Sequence, residues 1–279
     1  MSEDLGRARE TLASSLDRPS TGRVYDFYLG GDHNYAIDRD FGQRMVDLMP
    51  EARIFARENR GFVRRAVRYA RTEHGITQFV DIGSGLPTQG NVHEIADESG
   101  RDARVVYVDN DPVARAHAQI LLSDTADPQR HFAIDADFLD GAELWERVIE
   151  LGGLDPDQPI CLLVSALLHF IVPEQRPEEM LALYRDLLPP GSLLVLSHCT
   201  DEDTTPALQE VAARYMVTTS NAHLRGRSEV RAFFGDFELV EPGVVWTPQW
   251  RPELAAAHEP PFDGDPASTL AIAGVGRKR

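Results

Sequence analysis

Two glycines and two acids carry the most chemistry in this 279-residue chain. Gly83 and Gly85 follow the apolar run Phe79-Val80-Asp81-Ile82, and Asp109 closes a second apolar run, Val105-Val106-Tyr107-Val108. A strand, a glycine turn, a helix and a second strand ending in an acid form the order of parts that holds a nucleoside. Glycine at both turn positions lets the backbone bend tightly and approach a ligand with no Cβ between them. Asp109 lies 24 residues beyond Gly85, where a carboxylate can accept hydrogen bonds from both ribose hydroxyls. Binding of an adenosine-containing cofactor is therefore expected.

Two further positions discriminate among such cofactors. A dinucleotide fingerprint has a third small residue, so that a helix N-terminus closes on a pyrophosphate; here Thr88 stands at that position, after Pro87. Asp81, two residues before the first glycine, is unfavourable beside a pyrophosphate and suits a cationic ligand. The ammonium and sulfonium of S-adenosylmethionine (SAM) meet that requirement, so SAM is expected in preference to a nicotinamide or flavin dinucleotide. For the glycines alone, an ordinary strand-to-helix turn remains the alternative, because the bare motif is weak.

Other reactive side chains flank this centre. His169 is the first candidate for a general base, since an imidazole titrates near neutral pH; the alternative is a histidine hydrogen-bonded to backbone at a helix start. His198, Asn221 and His223 follow the fifth predicted strand, where substrate-contacting groups often lie. Tyr25 and Tyr28 belong to an aromatic-rich segment, residues 20–35, broken by Gly30-Gly31. That segment reads either as a lid whose rings pack on adenine or substrate, or as a helix on the outside of the domain. No spacing of His, Cys or carboxylates makes a metal site. His198 and Cys199 are adjacent, and a strand would turn their side chains to opposite faces.

The elements that must position these groups repeat regularly from residue 77 onward. Strands are expected at 77–82, 104–109, 131–135, 160–165 and 192–197, with helices at 91–99, 112–122, 140–150 and 176–188 between them, which is a βα repeat building a parallel sheet. Helices at 205–216 and 228–234 and two strands at 237–240 and 270–275 complete a seven-stranded sheet. The stretch from 242 to 267 reads as a long ordered loop over the site. Ahead of this lie a leader, helical over 4–16, and helices at 38–49 and 51–73. The expected organisation is an N-terminal helical cap or lid, 1–75, and a cofactor-binding domain, 76–279. Arg53, Arg57, Arg60, Arg64, Arg68 and Arg71 are spaced to share one helical face. In so acidic a chain they read as a solvated face paired with carboxylates, or as a contact for an anionic substrate or partner.

Composition narrows the functional classes. A hydrophobic content of 42% and a charged content of 26% are those of an ordinary globular protein. A net charge of −17, from 28 basic and 45 acidic residues, argues against a broad nucleic-acid footprint. No apolar run approaches the roughly 20 residues of a membrane helix, and Met1–Asp17 carries no signal-peptide core. The cytoplasm is the expected compartment, with Cys161 and Cys199 as reduced, buried thiols. The expected partner is a small molecule; a homodimer is left open.

The seven-strand layout is that of class I SAM-dependent methyltransferases, and the chain resembles one bacterial family closely: the S-adenosyl methyltransferases first catalogued as a domain of unknown function. The resemblance spans nearly the whole chain. It rests on residues 23–31 (RVYDFYLGG), Glu58-Asn59-Arg60, residues 79–94 (FVDIGSGLPTQGNVHE), Leu167-Leu168-His169-Phe170 and Val240-Glu241-Pro242-Gly243. It implies a doubly wound α/β, Rossmann-like sheet with a reversed last strand and SAM at the carboxyl ends of the strands. By the same resemblance Asp81, Gly83, Ser84 and Gly85 would cradle the methionine end, Asp109 would take the ribose and Asn110 would lie beside it. Asp137 would accept from the adenine amine and Phe138 would pack on the ring, although Asp135 or Asp137 could instead cap the following segment. Ser165 would sit beneath the methyl donor. Exocyclic-amine methylases carry Asn or Asp, two prolines and an aromatic after strand four. Ser165-Ala166-Leu167-Leu168-His169 departs from that pattern, which argues against adenine or glutamine amide as acceptor. The function expected is methyl transfer to a small-molecule oxygen or nitrogen, the alternatives being a SAM-binding protein without turnover or a dinucleotide-dependent oxidoreductase.

Overall fold

Five runs of β-branched and leucine residues with little polar alternation set the architecture, because strands buried on both faces read as continuous apolar stretches. They are β1 (Gln78–Ile82), β2 (Arg104–Asp109), β3 (His131–Asp135), β4 (Ile160–Ser165) and β5 (Leu193–Cys199), all parallel, in the order β3-β2-β1-β4-β5. The computed structural model describes residues 19–86, 90–204 and 223–279, together with Pro206 and Gln209. The expected helices at 4–16 and 205–216 fall almost entirely outside these residues, as do Thr88 and Asn221.

Helices cover both faces of the sheet. On one, Val80, Val106, Leu162 and Leu194 pack with Trp145 and Val148 of α6 (Ala142–Gly152), Leu181 and Tyr184 of α7 (Pro177–Leu187) and Val230 of α8 (Arg227–Ala232). On the other, Phe79, Val105, Leu163 and Val195 pack with Phe62, Ala66 and Ala70 of α3 (Glu51–His74) and with Val92 and Ile95 of α4 (Val92–Asp97). The remaining helices are α1 (Thr21–Tyr28), α2 (Ala36–Leu48) and α5 (Pro112–Thr125). Asp111 begins α5 by accepting from the Val113 N–H, with Pro112 in the first turn, so β2 ends one short turn earlier and leaves Asp109 at its carboxyl end. Helix α3 stops at Gly75, whose φ of +63° and N–H bonds to Ala70 and Arg71 carbonyls form a left-handed cap. Although α3 lies within the 1–75 segment, its buried side chains are part of the sheet's own core. Among the described residues no helix is long and apolar enough to cross a membrane.

The last strand, β8 (Ala271–Arg277), runs antiparallel beside β5 and carries β6 (Glu238–Leu239) on its other edge. The sheet has eight strands where seven were expected. The extra one, β7 (Val245–Trp246), pairs Ala273 and Ile272 farther along the same edge of β8. Two residues are too few to show alternation, and a turn at Gly243 (φ +87°) hides them inside a proline-rich stretch.

The arginine face also differs from expectation. Arg53 and Arg57 are exposed, but Arg60 and Arg71 are buried. Arg68 bonds Glu98 and Glu259, and Arg71 bonds Asp102 and the carbonyls of Ala96, Ile76 and Gly100. The sequence showed the spacing of the face but not that α4 and the 254–259 segment close over its second half.

Candidate active site

A cavity of about 740 Å³ opens at the carboxyl ends of β1, β2 and β4 and is roofed by α1. Its floor is the glycine turn. Gly83 has φ +73° and Gly85 φ +61°, and the N–H groups of Gly83 and Ser84 both donate to the Val108 carbonyl, at 2.8 and 3.2 Å. A Cβ on Gly83 would sit 2.8 Å from Leu167 Cδ1, whereas one on Gly85 would meet nothing within 4 Å. Gly83 is thus fixed by packing, and Gly85 faces open space in a conformation that glycine tolerates.

Two carboxylates frame this turn. Asp109 Oδ2 accepts from Gly85 N–H and Oδ1 from Asp111 N–H, both at 2.9 Å. Each oxygen keeps lone-pair capacity for a ligand hydroxyl. Burial raises its pKa against those two N–H bonds. Asp81 is 7% exposed and receives no hydrogen bond among the described residues. Burial, with Asp109 adding to it and Arg60 opposing it, lifts its pKa from 3.8 to about 7. A buried carboxylate without donors is satisfied by a cation.

The other expected cofactor contacts also reach the cavity. Asn110 Nδ2 donates to Asp137 Oδ2 at 2.5 Å, and Asp137 Oδ1 caps the single turn Phe138–Asp140 by accepting from Leu139 N–H at 2.8 Å. Asp137 therefore acts as a cap while lining the cavity, and a ligand amine would share its Oδ2 with Asn110. Phe138 packs on Tyr184, ring centroids 5.3 Å apart. Ser165 joins a buried network centred on Asn59, whose Oδ1 accepts from Ser165 Oγ (3.2 Å) and Ser197 Oγ (2.5 Å). Asn59 Nδ2 donates to Tyr25 Oη (3.0 Å), which in turn donates to the Ala56 carbonyl.

That network links the floor to the roof. Tyr25 and Tyr28 lie on α1 and line the cavity, so the aromatic segment is both a packed helix and a cavity wall. Its start is pinned by the buried pair Arg23–Asp38 (2.6 Å), by Ser20 N–H to Asp38 (3.0 Å) and by Ser20 Oγ to Asp111 (2.9 Å). The Gly30-Gly31 turn closes on Asp26, which accepts from His33 N–H and Asn34 Nδ2.

His169 lines the cavity in the turn Leu168–Phe170. The residue is 3% exposed, its Nε2 lies 3.7 Å from Cys199 Sγ, and its Nδ1 has no partner among the described residues. Burial first, then His198 and Arg225, hold its pKa well below the usual value of 6.5. The ring is neutral at pH 7 and makes no bond to backbone among the described residues. His198 is not on the cavity. It points to the other face of β5, its Nδ1 2.6 Å from the Cys199 carbonyl and its Nε2 3.1 Å from Arg225 Nη1. Arg225 also donates to the Leu168 and Ile171 carbonyls and so holds the turn that presents His169. His223 gives only its N–H, to the His169 carbonyl. Sequence reasoning gave Asn59 only a place in a family motif and read Arg60 as one of a face of arginines, yet both line the cavity; their signal was the helical period that places 52, 55/56, 59/60 and 63 of α3 on one side.

A doubly wound sheet with an antiparallel strand beside β5, a glycine turn after β1 and acids ending β1 and β2 defines a class I SAM-dependent methyltransferase. The chain belongs to the S-adenosyl methyltransferase family, whose profile matches residues 8–279. It is similar to a candidate methyltransferase from Thermobifida fusca (36% identity, 95% of this chain and 97% of that one, TM-score 0.81). It is also similar to a DUF574 family protein from Streptomyces avermitilis (34% identity, 94% and 98%, TM-score 0.85). An O-methyltransferase family protein from Burkholderia thailandensis shares the fold at 15% identity (77% and 55%, TM-score 0.51). A search of curated proteins returns no match.

The cofactor is SAM, and the residues present fit it: a donor-free buried acid, a glycine turn and a second acid with spare acceptor capacity face one cavity. Bound there, SAM supplies a methyl group on a cationic sulfur. The chain's task is to align a nucleophile with that methyl, exclude water and accept a proton where the acceptor must lose one.

Proposed function

We propose that the methyl acceptor is a small, largely apolar molecule, methylated at oxygen or nitrogen, that enters the same cavity beneath α1. The observation that carries this reading is the lining around His169. Phe41, Phe55, Phe170, Leu224 and Leu270 supply the surface, and Cys199, Thr200 and His169 the polar groups. Arg60, Asp81, Asp109, Asp111 and Asp137, the charged groups on the cavity among the described residues, lie towards the glycine turn and the ends of β1 to β3. A volume of about 740 Å³ lies in the upper part of the roughly 300–1,000 Å³ range of small-molecule sites, which suits a cofactor together with a compact acceptor. The net charge of −17 favours such a molecule over a nucleic acid.

His169 is the group placed to take the acceptor's proton. With its pKa held well below 6.5, it stays in the accepting form from neutral pH down through pH 6. As a weak base it suits an acidic hydroxyl, such as a phenol, better than an alcohol. The test is transfer of labelled methyl from SAM to a panel of phenols, aryl amines and aliphatic alcohols, with wild type and His169→Gln in parallel. Turnover of a phenol, reduced at least tenfold in the variant and flat between pH 6 and 8 in wild type, supports the reading. Tight binding of S-adenosylhomocysteine with no transfer to any of them would favour a SAM-binding protein without turnover.

A further inference from the structure

Two oxygens on the cavity have no proton left to give. They belong to Tyr25 on α1 and Ser165 at the end of β4, and both are held by Asn59, a residue only 4% exposed. Asn59 Nδ2 donates to Tyr25 Oη at 3.0 Å, and Tyr25 sends its own proton to the Ala56 carbonyl, also at 3.0 Å. At the other end of the amide, Ser197 Oγ donates to Asn59 Oδ1 at 2.5 Å. Ser165 Oγ lies 3.2 Å from that same oxygen and 2.9 Å from Ser197 Oγ, so its proton stays inside the network with either partner. Ala166 N–H completes the network by donating to Ser197 Oγ at 2.9 Å. A hydroxyl carries one proton and two lone pairs. With both protons committed, Tyr25 and Ser165 meet a ligand only as acceptors, and the ligand must bring donors.

These acceptors adjoin the end of the cavity around His169. Phe55 stands edge-on to both the Tyr25 and His169 rings, centroids 6.4 Å apart in each case, and Phe170 lies 4.2 Å from His169. Bonded to the two ends of one amide, the two oxygens are near neighbours, and a single NH2 group carries a donor for each. An alkyl amine is ill suited. Like lysine, with a pKa of about 10.4, it is an ammonium without a free lone pair at neutral pH. The carboxylates on the cavity among the described residues lie away from it, towards the glycine turn. An aryl amine is neutral at pH 7, keeps its lone pair and both N–H donors, and packs against rings. A phenol brings one donor and leaves one of the two oxygens unmet.

We infer that the methyl acceptor is a neutral aryl amine whose two N–H groups bond Tyr25 Oη and Ser165 Oγ. The inference rests on the reading of this cavity as a methyl-transfer site for a small apolar acceptor, and selects nitrogen over oxygen within it. Held by both hydrogens, the amine has its lone pair aimed. That pair forms the N–C bond to the methyl carbon as the C–S bond breaks and its electrons return to sulfur. The nitrogen becomes a cationic secondary ammonium, and one of its protons passes to His169 Nδ1, the ring's own proton standing on Nε2, 3.7 Å from Cys199 Sγ. An aryl ammonium is acidic, so the weak base that burial makes of His169 suffices. The ammonium of SAM is the other source of donors for the same two oxygens.

The experiment titrates the S-adenosylhomocysteine complexes of wild type, Tyr25→Phe and Ser165→Ala calorimetrically with 4-butylaniline, N-methyl-4-butylaniline and 4-butylphenol. Transfer of labelled methyl from SAM to the same three is measured alongside. Wild type should bind and methylate the primary amine roughly 10- to 100-fold better than the other two, the scale of one buried acceptor left unpaired. Each substitution should remove most of that preference by weakening the primary amine, with the affinity for S-adenosylhomocysteine itself unchanged. A merely structural role would lower all three acceptors alike. Such a shared loss, or a wild type that prefers the phenol, overturns the inference; should a variant fail to fold, the wild-type preference decides. A preference that survives both substitutions while S-adenosylhomocysteine binding weakens also overturns it, and assigns the two oxygens to the cofactor's ammonium. Transfer to the phenol alone refutes the amine and leaves the small-molecule reading standing, whereas transfer to none of the three, with S-adenosylhomocysteine bound, removes both.

Discussion

Asp81→Asn isolates the energetic consequence of a donor-free acid beside the cofactor. An acid with its pKa raised from 3.8 to about 7 on folding holds its proton more tightly in the native chain than in the unfolded one. Its stabilising contribution is complete below pH 3.8, shrinks as the pH climbs, and is exhausted above about pH 7. At about 1.36 kcal/mol per pH unit, the ionised side chain costs about 4 kcal/mol of stability at pH 8. Asparagine has the same shape and no charge to bury. The variant should therefore exceed wild type by about 2 kcal/mol at pH 5.5 and by about 4 at pH 8, read from urea unfolding of the ligand-free proteins. S-adenosylhomocysteine should show the opposite preference, since its ammonium needs the ionised acid. Affinity in wild type should fall about tenfold per pH unit below pH 7, and the variant should bind weakly with no such slope. A stability margin that does not change with pH, or a variant less stable than wild type, would refute the reasoning.

Three other substitutions probe the scaffold. Asp109→Ala removes the acceptor of the Gly85 and Asp111 N–H groups and should weaken S-adenosylhomocysteine by about 1.5–3 kcal/mol; unchanged calorimetric affinity in a folded variant removes Asp109 from the site. Asn59→Ala strips partners from Ser165, Ser197 and Tyr25 and should lower unfolding free energy by about 1–3 kcal/mol, a loss that denaturant titration reads directly. Gly31→Ala would place a Cβ 2.1 Å from Asp26 Oδ1, displacing the acid that holds His33 and Asn34. A cost of about 1–3 kcal/mol is expected, seen as a lower melting temperature; an unaltered one would show that the turn relaxes freely.

The parallel half of the fold was legible because its signals are local. Each strand from β1 to β5 carries a short, mostly apolar run, and Asp111-Pro112 announces the start of α5 within two residues. The glycine turn and Asp109 were legible for the same reason, since backbone freedom and an acid at a strand end depend on few neighbours. What escaped depends on partners distant in sequence. Arg60 and Arg71 sit in one regular arginine stripe, and nothing local tells the one left bare on the cavity from the one wrapped by carbonyls near residues 76–100. His198 and His169 looked equivalent, yet strand alternation and Arg225, 27 residues beyond His198, turn His198 away from the cavity. β7 was too short to carry a pattern at all.

The place of β8 in the sheet also bears on how the chain is made. β5 begins with four consecutive apolar residues, and its outer edge is covered by residues that follow 72 to 84 positions later, from the Cys199–Ala271 pair to the Leu193–Arg277 pair. At translation rates of about 5–20 residues per second, that edge waits several seconds for its partner after β1 to β5 have emerged. During the wait Leu193-Leu194-Val195-Leu196 offers an open row of N–H and C=O groups, the kind of template on which nascent chains pair with one another. Yield on overproduction should therefore be governed by slow growth or chaperone supply, which shelter this nascent edge, more than by the stability of the finished enzyme.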